Sequence, residues 1–518
     1  MEFHESKDNG LDISTSWEEC KDASFVESKT TDPVMALNEQ ERLVEKKLLH
    51  KIDFLIMPLV ILVYILNFLD RSNFAAAKLQ GLPEDLNLTS NDYQIALSIL
   101  YVGYILMQVP SNALLNLSGR PSLYIGSCTV LWGLVSLLTS LVKDYTGIVV
   151  ARFFLGVVEA PFFCGVLFYL SCWYTRAELS LRMTIFFAGS LLSNAFGGLV
   201  AAGILSGLNN ARGLHAWQWL YIVEGSVTIA VGIVIVLVLP DLPENWKALS
   251  PEMKSVAVRR ITLDGTEADA PGTEPMSQWQ GIKLAFTDPK TYILAGIYHG
   301  VVGMAAISNF FPTLTESLGF GRVISLLLVA PPFVLITAIA LMYGFISDRK
   351  GVRFWFFVCP VPVVIIGALL FMFTDSFGAR YFSLFLLVFI YTMSGIIYAW
   401  MASSIPRPRA KRAVALAFIN CFGNIASAWT PFIYTAESAP HFRLAMGVNI
   451  GLISSAAILA VVLKLVLEKE NRQLAIMDGS NGKELSERDL ANLERMARLE
   501  GISPTQAKQQ WSNFRYTI

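Results

Sequence analysis

The chain has 518 residues, of which 54% are hydrophobic and only 16% charged, with a net charge of −1 and a mean hydropathy of +0.51. Soluble domains carry roughly 25% charge, so this chain lacks the polar surface that a water-facing protein of its length needs. Its near-zero charge argues against nucleic acid as a partner, and its six scattered cysteines offer neither a disulfide framework nor metal-ligand spacing, so no cofactor or metal is expected.

Residues 1–51 are rich in Glu, Lys, Ser and Asp and read as a disordered cytosolic arm without the short apolar core of a cleavable signal peptide. Apolar runs of about 20 residues, the length that crosses a ~30 Å hydrocarbon core as helix, then predict spans near 52–77, 91–115, 122–142, 146–172, 180–206 and 217–240. A polar stretch over 241–288, containing Leu242-Pro-Glu-Asn-Trp246, is expected as a cytosolic central loop. Six more spans follow near 289–313, 323–346, 353–373, 380–402, 410–435 and 442–467, and the charged tail 468–518 is expected in the cytosol. The runs lack the two-residue alternation of barrel strands, and a helix satisfies its own backbone in lipid. The expected fold class is an all-α polytopic membrane protein: twelve transmembrane helices in two six-helix halves, 52–240 and 289–467.

Basic residues orient the spans. Arg42, Lys46, Lys47 and Lys51 precede the first, and clusters at Arg176/Arg182, Arg349/Lys350/Arg353 and Arg407/Arg409/Lys411/Arg412 fall on the same side. The opposite connections carry isolated cations such as Lys78, Arg212 and Arg322. By the positive-inside rule both termini are cytosolic, and a multi-pass monomer of the plasma membrane is expected. The glycosylation sequon Asn87-Leu-Thr89 falls outside but close to the membrane, and its occupancy is left open.

Ionisable residues within spans are costly and mark either a transport path or a paired structural site. The first span contains Asn67-Phe-Leu-Asp70-Arg71-Ser72-Asn73. Asp70 and Arg71 lie either inside the helix or at its end in interfacial water. In the fourth span Arg152 and Glu159 are seven apart, on one face and about 10 Å apart along the axis. They either brace the bundle or form a proton-coupled anion site.

Further candidates for a substrate cavity are Tyr101 and Gln108 in the second span, His299 and Asn309 in the seventh, and Asn420 and Asn424 in the eleventh. Tyr101 and Gln108 have helix-to-helix hydrogen bonding as their alternative, and His299 a neutral bonded imidazole; Asn420 and Asn424, four apart on one face, could donate to a substrate. Glu224 reads as an interfacial residue, and Gly197, Gly198 and Gly203 as sites of close helix contact. Tyr398 and Trp400 read as packing, with stacking on a ring-bearing substrate as the alternative.

A weak internal echo links the halves. After the eighth span the chain reads Gly344-Phe-Ile-Ser-Asp348-Arg349-Lys350-Gly351-Val352-Arg353, and after the second Asn116-Leu-Ser-Gly119-Arg120-Pro121. The Gly-x-x-x-Asp-Arg-Lys-Gly-x-Arg stretch resembles the inter-helix loop motif of the major facilitator superfamily. In the first half Asn112 and Asn116 stand where that family usually has Gly and Asp. The resemblance covers about residues 50–467 and implies two six-helix halves that rock about a midplane cavity.

The pair of constellations, Leu69-Asp70-Arg71 with Arg152 and Glu159, resembles the anion:cation symporter branch. The segments 93–112 and 217–225 look like its fungal allantoate/nicotinate permease subgroup. The resemblance implies that Arg71 binds a substrate carboxylate, that Glu159 and Asp70 carry protons, and that Arg152 tunes Glu159. The implied partners are a small organic anion and protons. The fifth span lacks the Gly-Pro motif of the superfamily's drug antiporters, which favours symport. Export for a secondary-metabolite pathway and a non-transporting nutrient sensor remain alternatives.

Gly479-Ser-Asn-Gly-Lys-Glu484 lacks phosphate-loop spacing, and five histidines without paired spacing offer no catalytic cluster, so an enzyme is not expected.

Overall fold

The computed structural model describes residues 39–118, 120–243, 245–246, 248–266, 278–405, 409–477, 494 and 515–517. Among these every regular element is helical. In the first half the spanning helices are α1 Glu39–Leu79, α2 Ser90–Ser118, α3 Pro121–Thr139, α4 Tyr145–Trp173, α5 Arg176–Gly207 and α6 Ala216–Val238. The second half comprises α7 Pro289–Glu316, α8 Arg322–Lys350, α9 Phe354–Phe373, α10 Phe377–Ser404, α11 Arg409–Trp429 and α12 Arg443–Met477. A 3-10 turn at Ala306–Phe310 interrupts α7. The expected twelve-helix fold is therefore present.

Local chemistry starts these helices where the sequence permits. The Asp144 side chain accepts from Gly147 N at 2.7 Å to cap α4, and Thr175 with Glu178 forms a capping box at α5. Asp288 accepts from Lys290 N at 2.9 Å, with Pro289 filling the first turn of α7. Large exposed apolar side chains such as Leu237, Phe345 and Leu465 form the lipid-facing surface.

Within the first half α2 packs on α4 and α3 on α6. Gly156 makes the first contact possible, since a Cβ there would lie 2.0 Å from the Leu100 carbonyl oxygen. Between the halves α5 packs on α8 and α2 on α11. A Cβ on Gly198 would come within 2.6 Å of Leu326 O across that seam. Gly203, expected to make a similar contact, faces open space, because it lies on the exposed side of α5 while its neighbours Ala201, Ala202 and Ile204 take the buried side.

The end of the bundle carrying Glu39 and Met477 is the terminal face; the opposite end is the far face. The halves close at the far face, where Gln94 Nε2 donates to Tyr434 O at 3.1 Å and Arg322 pairs with Glu84 at 3.7 Å. Arg71, Phe187, Tyr398, Asn420 and Asn424, on the facing surfaces below that closure, stay partly exposed and line a cleft between the halves.

Three expectations about the polar segments change. Residues 39–50 are helical and continue α1, because Glu39 and Glu41 open a turn that the apolar run extends. The tail continues α12 to Met477. The 241–288 stretch is not merely a loop: it holds helices at Pro251–Thr266 and Gln278–Thr287. Arg260 bolts the first of these to the terminal face, donating to Trp173 O at 2.5 Å and pairing with Glu178 at 3.1 Å and Glu45 at 3.3 Å.

Candidate functional site

The centre of the first half is built around α1. Asp70 and Arg71 both lie inside this helix, about 100° apart around its axis, so they face different surroundings. Arg71 Nε donates to Glu159 Oε2 at 2.7 Å; the Arg71 side chain is 16% exposed and that of Glu159 0%. The guanidinium lies 4.7 Å from the Tyr104 ring centroid and 5.6 Å from that of Phe68, a cation–π setting that offsets part of its desolvation. Glu159 Oε1 is buried without a hydrogen-bond partner among the described residues. The pair therefore places a cation at the edge of the cleft, held from behind by an acid.

Asp70 and Arg152 do not share that edge. Asp70 is 1% exposed and turns into the first half, where Trp132 Nε1 donates to it at 3.0 Å and Ser136 Oγ at 2.7 Å, both from α3. Arg152 is also 1% exposed; it donates to Ala96 O at 3.4 Å and lies over the Phe74 ring at 4.6 Å. The four ionic residues therefore do not share one face: Asp70 and Arg152 are sealed by α3 and α2, and of the four only Arg71 reaches the cleft.

Five of the six cavity candidates on α2, α7 and α11 come together at the seam. Gln108 Nε2 donates to Asn420 Oδ1 at 3.0 Å, and Asn424 Nδ2 donates to the same oxygen at 2.7 Å. Asn309 Nδ2 donates to the Tyr101 hydroxyl at 3.2 Å. These bonds tie the halves in the closed-far-end arrangement through groups that can exchange partners.

His299 lies apart from this group. Its Nδ1 bonds Phe422 O at 3.0 Å and Trp429 Nε1 donates to its Nε2 at 3.4 Å. Phe422 points to the exposed back of α11, away from the Asn420–Asn424 face.

Aromatic residues complete the cleft: Tyr398, a packing or stacking candidate from the sequence, is joined by Phe187, Tyr298 and Tyr104. Tyr398 stacks on Phe187 of the opposite half at 5.0 Å, and its hydroxyl bonds that of Tyr298 at 2.5 Å. Tyr104 was legible in principle, since it follows Tyr101 by three positions on one helix face. Glu224, read as interfacial, is buried, with Asn73 donating to its Oε2.

The loop motif after α8 forms a tight turn. Gly351 adopts the left-handed conformation (φ +63°) that ends α8, Asp348 pairs with Arg353, and Ser347 Oγ donates to Val352 O at 2.8 Å. Arg349 is exposed beside it. In the first half Gly119 lies outside the described residues, and Arg120 sits at the exposed N-cap of α3. There the carboxylate missing from the motif comes from Asp241, after α6, which accepts from the Ser122 amide at 3.3 Å and from its hydroxyl. At the far face Asn87 is exposed in a left-handed conformation, and its sequon threonine bonds Asp92 at 2.6 Å.

Residues 60–431 match the Major Facilitator Superfamily. The MFS-type transporter cnsO of Penicillium expansum is 32% identical over 449 residues, covering 84% of this chain and 85% of that protein. An uncharacterized transporter of Schizosaccharomyces pombe, C1683.12, is 30% identical over 453 residues, covering 87% and 92%. Among solved structures, a bacterial homolog of the human lysosomal transporter Spinster, inward-facing and occupied, aligns with a TM-score of 0.62 at 14% identity, covering 80% of this chain and 97% of that one. The proton:xylose symporter XylE aligns with a TM-score of 0.56 at 15% identity, covering 80% and 95%.

Proposed function

The chain belongs to the major facilitator superfamily and is a multi-pass membrane transporter; from that premise we propose that it carries a small organic anion in symport with protons. The observation that carries this reading is the Arg71–Glu159 pair at the cleft edge. Arg71 commits Nε to Glu159 and keeps four further N–H donors, which match a carboxylate bidentately. A substrate carboxylate competes with Glu159 for the guanidinium. Glu159, deprived of its cation in a buried site, is then neutral only with a proton, because an unpaired buried carboxylate is strongly disfavoured. Anion and proton therefore bind together, which is the condition for symport.

Gln108, Asn420, Asn424, Tyr101 and Asn309 sit where rearranging hydrogen bonds can follow the cargo, and Asp70 is a second carboxyl beside the pair. Arg152 acts on Glu159 only at a distance. Asp348, Arg349, Gly351 and Arg353 are proposed to hinge the α8 turn as the halves rock. The basic residues before α1 and after α8 support a cytosolic terminal face, so the closed far face would be the outer one; the plasma membrane is the proposed site, and the monomer the proposed unit.

The test is uptake of a panel of radiolabelled organic acids into proteoliposomes carrying an imposed pH gradient. Uptake of a carboxylate, abolished by a protonophore and by Glu159→Gln, supports the proposal. Transport of neutral compounds alone, or Glu159→Gln uptake that still follows the pH gradient, would overturn it.

A further inference from the structure

The first half contains a buried acid that the scheme above does not use. Glu224 stands eight residues into α6, about 12 Å from its far-face end, and is 5% exposed. Its Oε2 accepts from Asn73 Nδ2 of α1, while Oε1 is buried with no hydrogen-bond partner among the described residues. A carboxylate with one bare oxygen in such a setting is expensive, whereas a carboxylic acid carrying its proton there is not.

The groups around it set what a proton would do. Among the described residues α6 packs on α3, α1 and α5. On α1, Asp70 stands one turn before Asn73 on the same face, near enough to act electrostatically on Glu224. From its own helix the buried Tyr221 feels the charges of Arg152 of α4, Asp70 and Glu224. The nearby α3 side chains at Asp70 are the neutral Trp132 and Ser136. Asp70 in turn acts electrostatically on Glu159. Three acids are thus ordered Glu224, Asp70, Glu159 across the half; among the described residues Arg71 forms an ion pair with the last, and Arg152 acts on Asp70 and Glu159 from a distance.

We propose that Glu224 is a second proton-binding site of this transporter, extending the proton-coupled reading on which it rests. The proton arrives as H⁺ from water at the far end, once the far-face closure between the halves opens, and bonds to Oε1 to give the neutral acid. Its return to water leaves the Glu224 carboxylate, tolerated while Asp70 is neutral. Asn73 is a positioning residue that holds Oε2 in both states.

The experiment uses the full chain in lipid nanodiscs and dicyclohexylcarbodiimide, which adds to protonated carboxyls in apolar surroundings, with peptide-resolved mass spectrometry from pH 5 to pH 9. Labelling of the Glu224 peptide is expected to fall at least tenfold across that range, and Asp70→Asn is expected to move its midpoint to lower pH by removing a competing negative charge. Labelling that is constant with pH would make Glu224 a permanently protonated structural group. Absent labelling would make it ionised, and a midpoint unmoved in Asp70→Asn would remove the coupling; each overturns the proposal. The wild-type titration needs no variant to fold. A flat titration alongside intact pH-driven uptake overturns this inference alone, whereas uptake indifferent to the pH gradient overturns the symport reading instead.

Discussion

Arg71 and Glu159 meet at 2.7 Å although 88 positions separate them, and the bond joins α1 to α4 at the border between a sealed helical interior and an accessible cleft. Its asymmetry matters: the cation is partly exposed and the acid is not. The accessible partner is the one that cargo can recruit, and the buried partner is the one left in need of neutralisation.

Removing the cation should therefore be worse than neutralising the acid. Arg71→Ala leaves Glu159 buried and uncompensated, a change that costs about 3–5 kcal/mol in comparable pairs. Arg71→Ala with Glu159→Gln should recover most of that loss. Thermal unfolding of the purified variants in detergent measures both; equal melting temperatures for the single and double variants would show that the pair does not carry the coupling.

Arg71→Lys should hold the protein together better than Arg71→Ala yet transport poorly, because an ammonium lacks the planar fork for a carboxylate. The expected pattern is near-normal stability with uptake reduced at least tenfold for the acid that the wild type accumulates. Normal uptake by Arg71→Lys would move carboxylate recognition elsewhere in the cleft.

Ser136→Ala removes one of the two neutral donors that hold Asp70. Loss of a buried donor to a carboxyl group should cost about 1–3 kcal/mol, read as a fall in unfolding temperature. Asp70→Asn in the same background should be no worse, since the charge that needed the donor is gone.

Gly156→Ala places a methyl group against the Leu100 carbonyl, where a Cβ would lie at 2.0 Å. Both contact surfaces are backbone on rigid helices, so the strain cannot be taken up by a side chain, and a destabilisation of at least about 1–3 kcal/mol is expected from overpacking. Wild-type yield and melting temperature in this variant would mean that α2 and α4 are further apart.

Cysteines at Glu84 and Arg322, paired at 3.7 Å across the far-face seam, should be joined by a short bismaleimide. The joined protein should bind cargo from the terminal face only and fail to complete uptake, while the unmodified double-cysteine protein transports. Full uptake after complete joining would show that the far face does not open along this seam.

Much of the architecture was readable before folding. The spans, their number and the polar breaks follow from segment-intrinsic properties: a run of about 20 apolar residues is a membrane helix whatever its neighbours, and Asp144, Thr175 and Pro289 mark starts through local chemistry alone. The four ionic residues of the first and fourth spans also stood out, because charge in lipid is costly wherever it occurs. The direction each side chain faces was not readable. Asp70 and Arg71 are adjacent in sequence, yet one is held by α3 and the other by α4; His299 is claimed by the back of α11; Glu224, near a span end in sequence, is covered by α1. Asp241 serves a helix 119 positions away that lacks its own acid. These assignments depend on which helix stands next to which and at what rotation, a property of the whole bundle rather than of any single segment. Segment hydropathy alone says which helices cross the membrane and which of their residues are electrostatically expensive; which of those residues meet a partner and which meet the cleft follows from packing, because a buried charge is stabilised by groups brought from distant parts of the chain.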